Sequence, residues 1–136
     1  MMELSISKDK CMKVSFKKED RILKMFQGLP PTFIIEESGD VVTVYCAVGY
    51  EIRRDVFGLT PLQFRRVYNK LKVEGGRKLW RGDCIILEPE KNAVVIVRMA
   101  SSELELAKAA AKKANESLSD YIRAAIFTRT MQELGL

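Results

Sequence analysis

Residues 93–131 carry the pattern that most constrains how this chain can fold. A run rich in β-branched residues comes first, at 93–99, and its composition is typical of a strand. Apolar residues then recur every three or four positions, first over 104–114 and again over 118–126, as they do on one face of a helix. The order strand, helix, turn, helix therefore predicts one compact unit at this end of the chain.

The residues between these elements are those that start and stop helices. Ser101 or Ser102 can cap the first helix, and Asn115 can take the left-handed conformation that ends it. Ser117, followed three residues later by Asp120, is similar to a capping box and predicts where the second helix begins. All these local signals agree on the same unit.

Over residues 93–131 this pattern resembles the ribbon-helix-helix family, the MetJ/Arc-type dimeric DNA-binding regulators. The resemblance implies an intertwined dimer in which one strand from each copy forms an antiparallel ribbon that enters the DNA major groove. Strand positions would alternate between the dimer core and the DNA. The implied dimer core is Val95, Val97, Met99, Leu104, Ile122 and Ile126. The implied DNA contacts are Val94, Ile96 and Arg98 on the outward strand face, with the backbone amides near Ser117, Leu118 and Ser119 at the second helix.

The outward face of the predicted strand departs from the family pattern. Arg98 can donate two hydrogen bonds to a guanine edge, but Val94 and Ile96 can at best touch a thymine methyl group. A strand that is apolar on both faces is typical of the centre of a sheet. Two interpretations stay open: this face contacts DNA, or residues 83–88 and 92–99 pair as a hairpin within the preceding domain.

The pattern of residues 1–91 predicts a separate α+β domain with a mixed sheet and two helices. Residues 92–136 are expected to form the ribbon-helix-helix-like unit. Thr60 and Pro61 predict the start of the second of those helices, and Gly75 and Gly76 its end. The β-α-β-β-α-β-β order suits a ferredoxin-like sandwich. The expected elements are one or two strands in 3–16, a helix over 17–27 stopped by Gly28, strands at 32–37 and 41–47, a helix after residue 60, and strands at 83–88 and 92–99.

The segment 53–81 is rich in lysine and arginine, and only Asp55 and Glu74 oppose this charge. One interpretation is a surface that follows phosphates, with Trp80 stacking on a base. The other is the solvated face of an amphipathic helix, whose Phe64 and Tyr68 would then belong to the core. The candidate DNA contacts of this segment are Arg65, Arg66, Lys70, Arg77, Lys78, Trp80 and Arg81.

Composition excludes several classes of function. The chain has no histidine, which is the commonest general base and a frequent metal ligand. Cys11, Cys46 and Cys84 are odd in number and far apart, which favours reduced thiols in a cytoplasmic protein. No apolar run approaches the roughly 20 residues of a membrane helix. We expect no enzymatic activity, no metal site, no cofactor and no membrane partner.

The sequence thus predicts a small dimeric DNA-binding protein, a transcriptional regulator, whose partners are duplex DNA and a second copy of itself. The net charge of +5 agrees with a polyanionic partner. The alternative is a protein-interaction module, for instance a viral inhibitor or adaptor, that dimerises through the helical unit and binds a protein through residues 1–91. A third hypothesis is RNA or single-strand binding on the first domain's sheet, although its predicted strands lack an exposed aromatic pair.

Overall fold

The computed structural model describes residues 7–27 and 33–135, and the chain divides into two compact units. The first unit ends at Asn92 and the second begins at Ala93, one residue after the boundary expected from the sequence. Both helices and antiparallel sheets are present, so the predicted α+β class is confirmed. Gly28, residue 32 and residues 3–6, on which some predictions fell, lie outside the described residues.

The elements of the first unit follow one another with short connections. In chain order they are β1 (Met12–Lys17), α1 (Asp20–Phe26), β2 (Phe33–Ser38), β3 (Val41–Cys46), β4 (Tyr50–Arg53), α2 (Pro61–Lys70), β5 (Lys72–Glu74), β6 (Gly76–Arg81) and β7 (Cys84–Pro89), with 3-10 helices at Lys8–Lys10 and Asp55–Phe57.

These strands form two sheets instead of the predicted single mixed sheet. The first has the order β2-β3-β1-β5 and the second the order β4-β7-β6, and every pair is antiparallel. The first sheet, with α1 before β2 and α2 before β5, has the strand order of a ferredoxin-like arrangement. In the chain, β4 comes between β3 and α2 of this arrangement, but it pairs in the second sheet. None of β4, β5 and β6 was predicted from the sequence. β4 and β5 are too short to give a clear periodicity.

The helix α2 begins as predicted and ends earlier. Thr60 Oγ1 accepts a hydrogen bond from the Gln63 amide at 3.2 Å, and Gln63 Oε1 accepts one from the Thr60 amide at 2.9 Å, which makes a capping box. The helix stops at Lys70 because Leu71 is buried and the next three residues pair with β1. The prediction that Gly75 and Gly76 end this helix was therefore wrong, since Gly75 connects β5 to β6 and Gly76 is the first residue of β6.

The predicted hairpin between residues 83–88 and 92–99 was also wrong. The strand β7 pairs along one edge with β4 and along the other with β6. Both edges of β7 are therefore occupied, and residues 90–100 form no strand within the described part of the chain.

One hydrophobic core holds the first unit together. It takes residues from β1, α1, β3, β4, α2 and β7, and its aromatic centre is Phe26, whose ring lies 5.6 Å from those of both Phe16 and Tyr50. Phe64 is fully buried and Tyr68 packs partly buried against this core, as their helical spacing predicted. None of the helices in the described residues combines the length and apolar character needed to cross a membrane.

Candidate nucleic-acid interface

The second unit is a pair of helices, α3 (Ser101–Lys113) and α4 (Leu118–Leu134), joined by a tight turn. Asn115 has a φ of 58°, the left-handed conformation expected from the sequence. The Asn115 amide donates to the Lys112 carbonyl at 3.1 Å, and the Glu116 amide donates to the Ala111 carbonyl at 3.0 Å. These two bonds form a Schellman motif, which satisfies carbonyls at the end of α3 and turns the chain into α4.

The starts of the two helices differ from each other in their capping. Ser117 Oγ accepts a hydrogen bond from the Asp120 amide at 3.1 Å, so the predicted cap of α4 is confirmed. At α3 the capping residue is Ala100, not Ser101 or Ser102. Glu103 Oε1 accepts a hydrogen bond from the Ala100 amide at 3.0 Å, which is one half of a capping box. Ala100 has no side-chain oxygen to supply the other half.

The segment 93–99 has the composition of a strand but pairs with no strand within the described residues. Its large apolar side chains are among the most exposed of the chain: Val94 and Ile96 are each 89% exposed, Val95 77% and Val97 71%. Met99 is 49% exposed. The three residues of this segment that are assigned to the dimer core are thus less exposed than Val94 and Ile96 of the outward face.

The two helices bury almost nothing within one chain. Ala111 is their one buried residue among those described. Leu104 is half-buried, whereas Ile122, Ile126 and Phe127 are exposed. An apolar helix surface of this kind stabilises a helix only when something covers it.

The predicted DNA contacts of this unit are open to solvent. Arg98 is exposed, and none of the ion pairs among the described residues includes it. Ser117 and Ser119 are exposed and Leu118 is half-buried at the start of α4, where backbone amides point away from the helix. Arg98 and these amides belong to the same unit: Arg98 lies before α3 in the chain, and the amides lie after it.

Several cations of the basic segment have partners inside the first unit. Lys70 pairs with Glu19 at 2.7 Å and Arg77 pairs with Glu88 at 2.9 Å. Lys78 Nζ donates to the Tyr68 carbonyl at 2.7 Å and to the Leu71 carbonyl at 2.9 Å, so it caps the end of α2. Burial lowers the pKa of Lys78, as expected for an ammonium group drawn out of water. Lys78 therefore has a structural role that the sequence did not predict.

Other members of the segment are available. Arg65, Arg66 and Arg81 are exposed and form no ion pair within residues 7–27 and 33–135. Trp80 is 37% exposed, and its ring packs edge to face against Phe64 and Tyr68 at 5.0 and 5.4 Å. Trp80 thus lies at the surface and contacts the core through Phe64, a combination that the sequence left undecided.

A groove of about 600 Å³ lies beside α2, where the sequence predicted no concave site. The residues that line it are Pro61, Leu62, Arg65, Tyr68, Asn69 and Trp80. The interleaving of Trp80 with basic residues was the one sequence signal at this place. The groove forms because β6 lies against α2, and no local sequence pattern predicts this contact.

Comparisons with protein-family models, with curated proteins and with solved structures each found no match. Within the described residues, no group of three or more carboxylate and cysteine side chains could hold a metal ion. The two surfaces above, the helical unit and the basic groove, are therefore the basis on which a function can be proposed.

Proposed function

We propose that this protein is a dimeric DNA-binding protein of the cytoplasm, a transcriptional regulator, in which two copies pair residues 93–99 into an antiparallel ribbon. The observation that carries the proposal is the exposure of this segment. Val94, Val95, Ile96 and Val97 are each at least 71% exposed, and an exposed apolar run of this kind marks an interaction site. Its unpaired backbone groups and β-branched side chains suit a strand that lacks a neighbour.

A second copy of the same segment is the partner that fits best. Two identical strands related by a two-fold axis pair antiparallel, and each then supplies the hydrogen bonds that the other lacks. Such pairing would also cover the exposed apolar side chains of α4, such as Ile122 and Ile126. Two incomplete units would thereby form one closed core, which would account for why α3 and α4 bury only Ala111 among their described residues.

The ribbon would present one face to DNA. The positions that alternate with the dimer core are Val94, Ile96 and Arg98. Arg98 is the member of this face that can recognise a base, through two hydrogen bonds to guanine. The amides at the start of α4 would bind a phosphate, which fixes the ribbon in the groove. Arg65, Arg66 and Arg81 of the first unit would add electrostatic attraction to the polyanion.

A second candidate function is a protein-interaction module that dimerises through the same helical unit. Two observations favour it. Val94 and Ile96 occupy two of the three outward positions and cannot read a base edge. Residues 93–136 contain six Lys or Arg residues against five Asp or Glu residues, so this unit itself has little positive charge to attract DNA. Under this alternative the first unit would carry the surface that binds a protein.

Selection from a randomised 30-base-pair duplex pool, followed by fluorescence anisotropy, tests the leading proposal. We expect binding to a selected duplex to weaken steeply as salt rises from about 50 to 200 mM, because bound cations displace counterions. Arg98→Ala should reduce the preference for the selected over a scrambled duplex by about tenfold, because a good arginine-guanine contact contributes about 1–3 kcal/mol of discrimination.

Arg129→Ala is the matched control for that experiment. Arg129 is an exposed arginine of α4 that pairs with Glu133 at 3.1 Å, and it lies outside the proposed ribbon. Its replacement removes the same charge and should leave the preference between the two duplexes unchanged. If no duplex binds at 50 mM salt, the DNA-binding proposal fails and the protein-interaction module takes its place.

A further inference from the structure

The groove beside α2 combines features that bind unstacked bases and phosphates. Trp80 and Tyr68 supply aromatic surface, Pro61 and Leu62 supply apolar surface, and Arg65 supplies a cation. Leu62 is 61% exposed and Trp80 37%, so this apolar surface is open to solvent. The groove contains no carboxylate among its lining residues. A planar, apolar ring with a negative charge attached would therefore meet complementary groups here.

A second groove continues the positive charge along the same helix. It has a volume of about 710 Å³, and Asn69 lines both grooves. Four lysines, at positions 17, 18, 70 and 72, line the second groove against the two carboxylates of Glu19 and Asp40. Glu19 is already paired with Lys70, whereas Lys17 and Lys72 form no ion pair within the described residues. The two grooves together make a cationic path that begins at the aromatic end.

We propose that these two grooves bind single-stranded nucleic acid, with one base held against Trp80 and the following phosphates near Arg65 and the lysines. A single strand fits better than a duplex, because only an unpaired base can leave its stack to contact an aromatic side chain. DNA and RNA share this chemistry. The binding goes beyond the regulatory function proposed above and does not depend on the ribbon of the second unit.

Trp80 is the only tryptophan of the chain, so its fluorescence reports directly on the aromatic end of the path. The experiment titrates the full-length protein with 12-nucleotide oligo-dT and oligo-U, and with a 12-base-pair duplex, while Trp80 emission and probe anisotropy are recorded. We expect both single strands to quench the emission in a saturable, salt-dependent way, and to bind more tightly than the duplex. A saturable quench by only one of the two would identify whether the grooves take DNA or RNA.

Two variants test the path, and two serve as controls. Arg65→Ala removes the lining cation, and Leu62→Glu places a carboxylate in the groove at an exposed position near the helix start, where a negative charge is tolerated. Each should weaken single-strand binding by at least about fivefold. Arg21→Ala removes the same charge from an exposed position of α1 outside both grooves, and Arg129→Ala removes it from α4 of the second unit; each should change single-strand affinity by less than about twofold.

Three results would overturn the proposal. The first is the absence of single-strand binding at about 50 mM salt, where phosphate contacts are strongest. The second is single-strand binding by anisotropy with no change in Trp80 emission. The third is an equal loss from Arg65→Ala and Arg21→Ala, which would mean general charge attraction. Because duplex discrimination by the Arg98→Ala variant tests the ribbon and Trp80 quenching by single strands tests the groove, failure of the ribbon and failure of the groove would be seen separately.

Discussion

Within one chain the first unit completes its core, whereas the second does not. In the first unit Phe26, Phe64, Val44 and Leu87 are each 0% exposed, and strands and helices from distant positions close over them. In the second unit a helix as long as α4 has no buried residue at all. We therefore expect that the first unit can fold alone and that the second needs a partner, which the exposed apolar segment 93–99 would contact.

The largest effect we expect comes from charges placed on alternate positions of that segment. The double substitution Val95→Glu and Val97→Glu should convert the dimer to a monomer and raise its dissociation constant more than about 10,000-fold, because the two charges of each copy would be unpaired in the dimer core and together cost several kcal/mol. Val94→Glu and Ile96→Glu put the same charges on the outward face and should leave the dimer intact. Light scattering at several concentrations measures both variants.

A monomeric wild-type protein, or equal dissociation of both double variants, would contradict the expectation that a second copy completes the second unit. Urea unfolding followed by Trp80 fluorescence adds a check, because Trp80 belongs to the first unit. Its midpoint should be the same in the wild-type protein and in the monomeric variant, since the first core lies within one chain.

A smaller effect is expected from Phe26→Ala in the first unit. The Phe26 ring is fully buried between Phe16 and Tyr50, so its loss should lower the free energy of unfolding by about 3–5 kcal/mol. Val56→Ala, at a position 68% exposed, is the control and should change it by less than about 0.5 kcal/mol. Light scattering in the absence of urea should still find a dimer; a monomer would contradict the independence of the two units.

The smallest effect concerns alkaline pH and Cys46. Burial, with a lesser contribution from Cys11, raises the pKa of the Cys46 thiol from 9.0 to about 12. The folded state thus keeps a proton that the unfolded state loses above pH 9, and stability falls as pH rises from 9 towards 12. The free energy of unfolding should fall by up to about 1.4 kcal/mol per pH unit from this thiol.

Urea unfolding at pH 8 and pH 10, again followed by Trp80 fluorescence, measures that dependence. Cys46→Ala should lose part of the difference between the two pH values, although it lowers stability at both. An equal difference in the wild-type protein and the variant would show that the Cys46 proton does not contribute. The second unit contains no cysteine, so this titration acts on the first unit alone.

Features that depend on neighbours in the sequence could be predicted. Thr60 and Pro61 start α2, Ser117 caps α4 and Asn115 turns the chain between α3 and α4, all as expected. Each of these outcomes depends on residues within a few positions of one another, where backbone geometry and side-chain hydrogen bonds decide the structure. The apolar stripe of α2, which includes Phe64 and Tyr68, could be predicted for the same reason.

The tertiary structure alone decided which segments meet. The pairing of β7 with β4 and β6 leaves the segment 93–99 without a strand neighbour, and the contact of β6 with α2 makes Lys78 a helix cap and Trp80 a wall of the groove. These choices join residues far apart in the chain, and several pairings bury similar apolar side chains. These alternative pairings differ in free energy because the whole unit packs differently in each, and a local pattern of residues does not predict that packing.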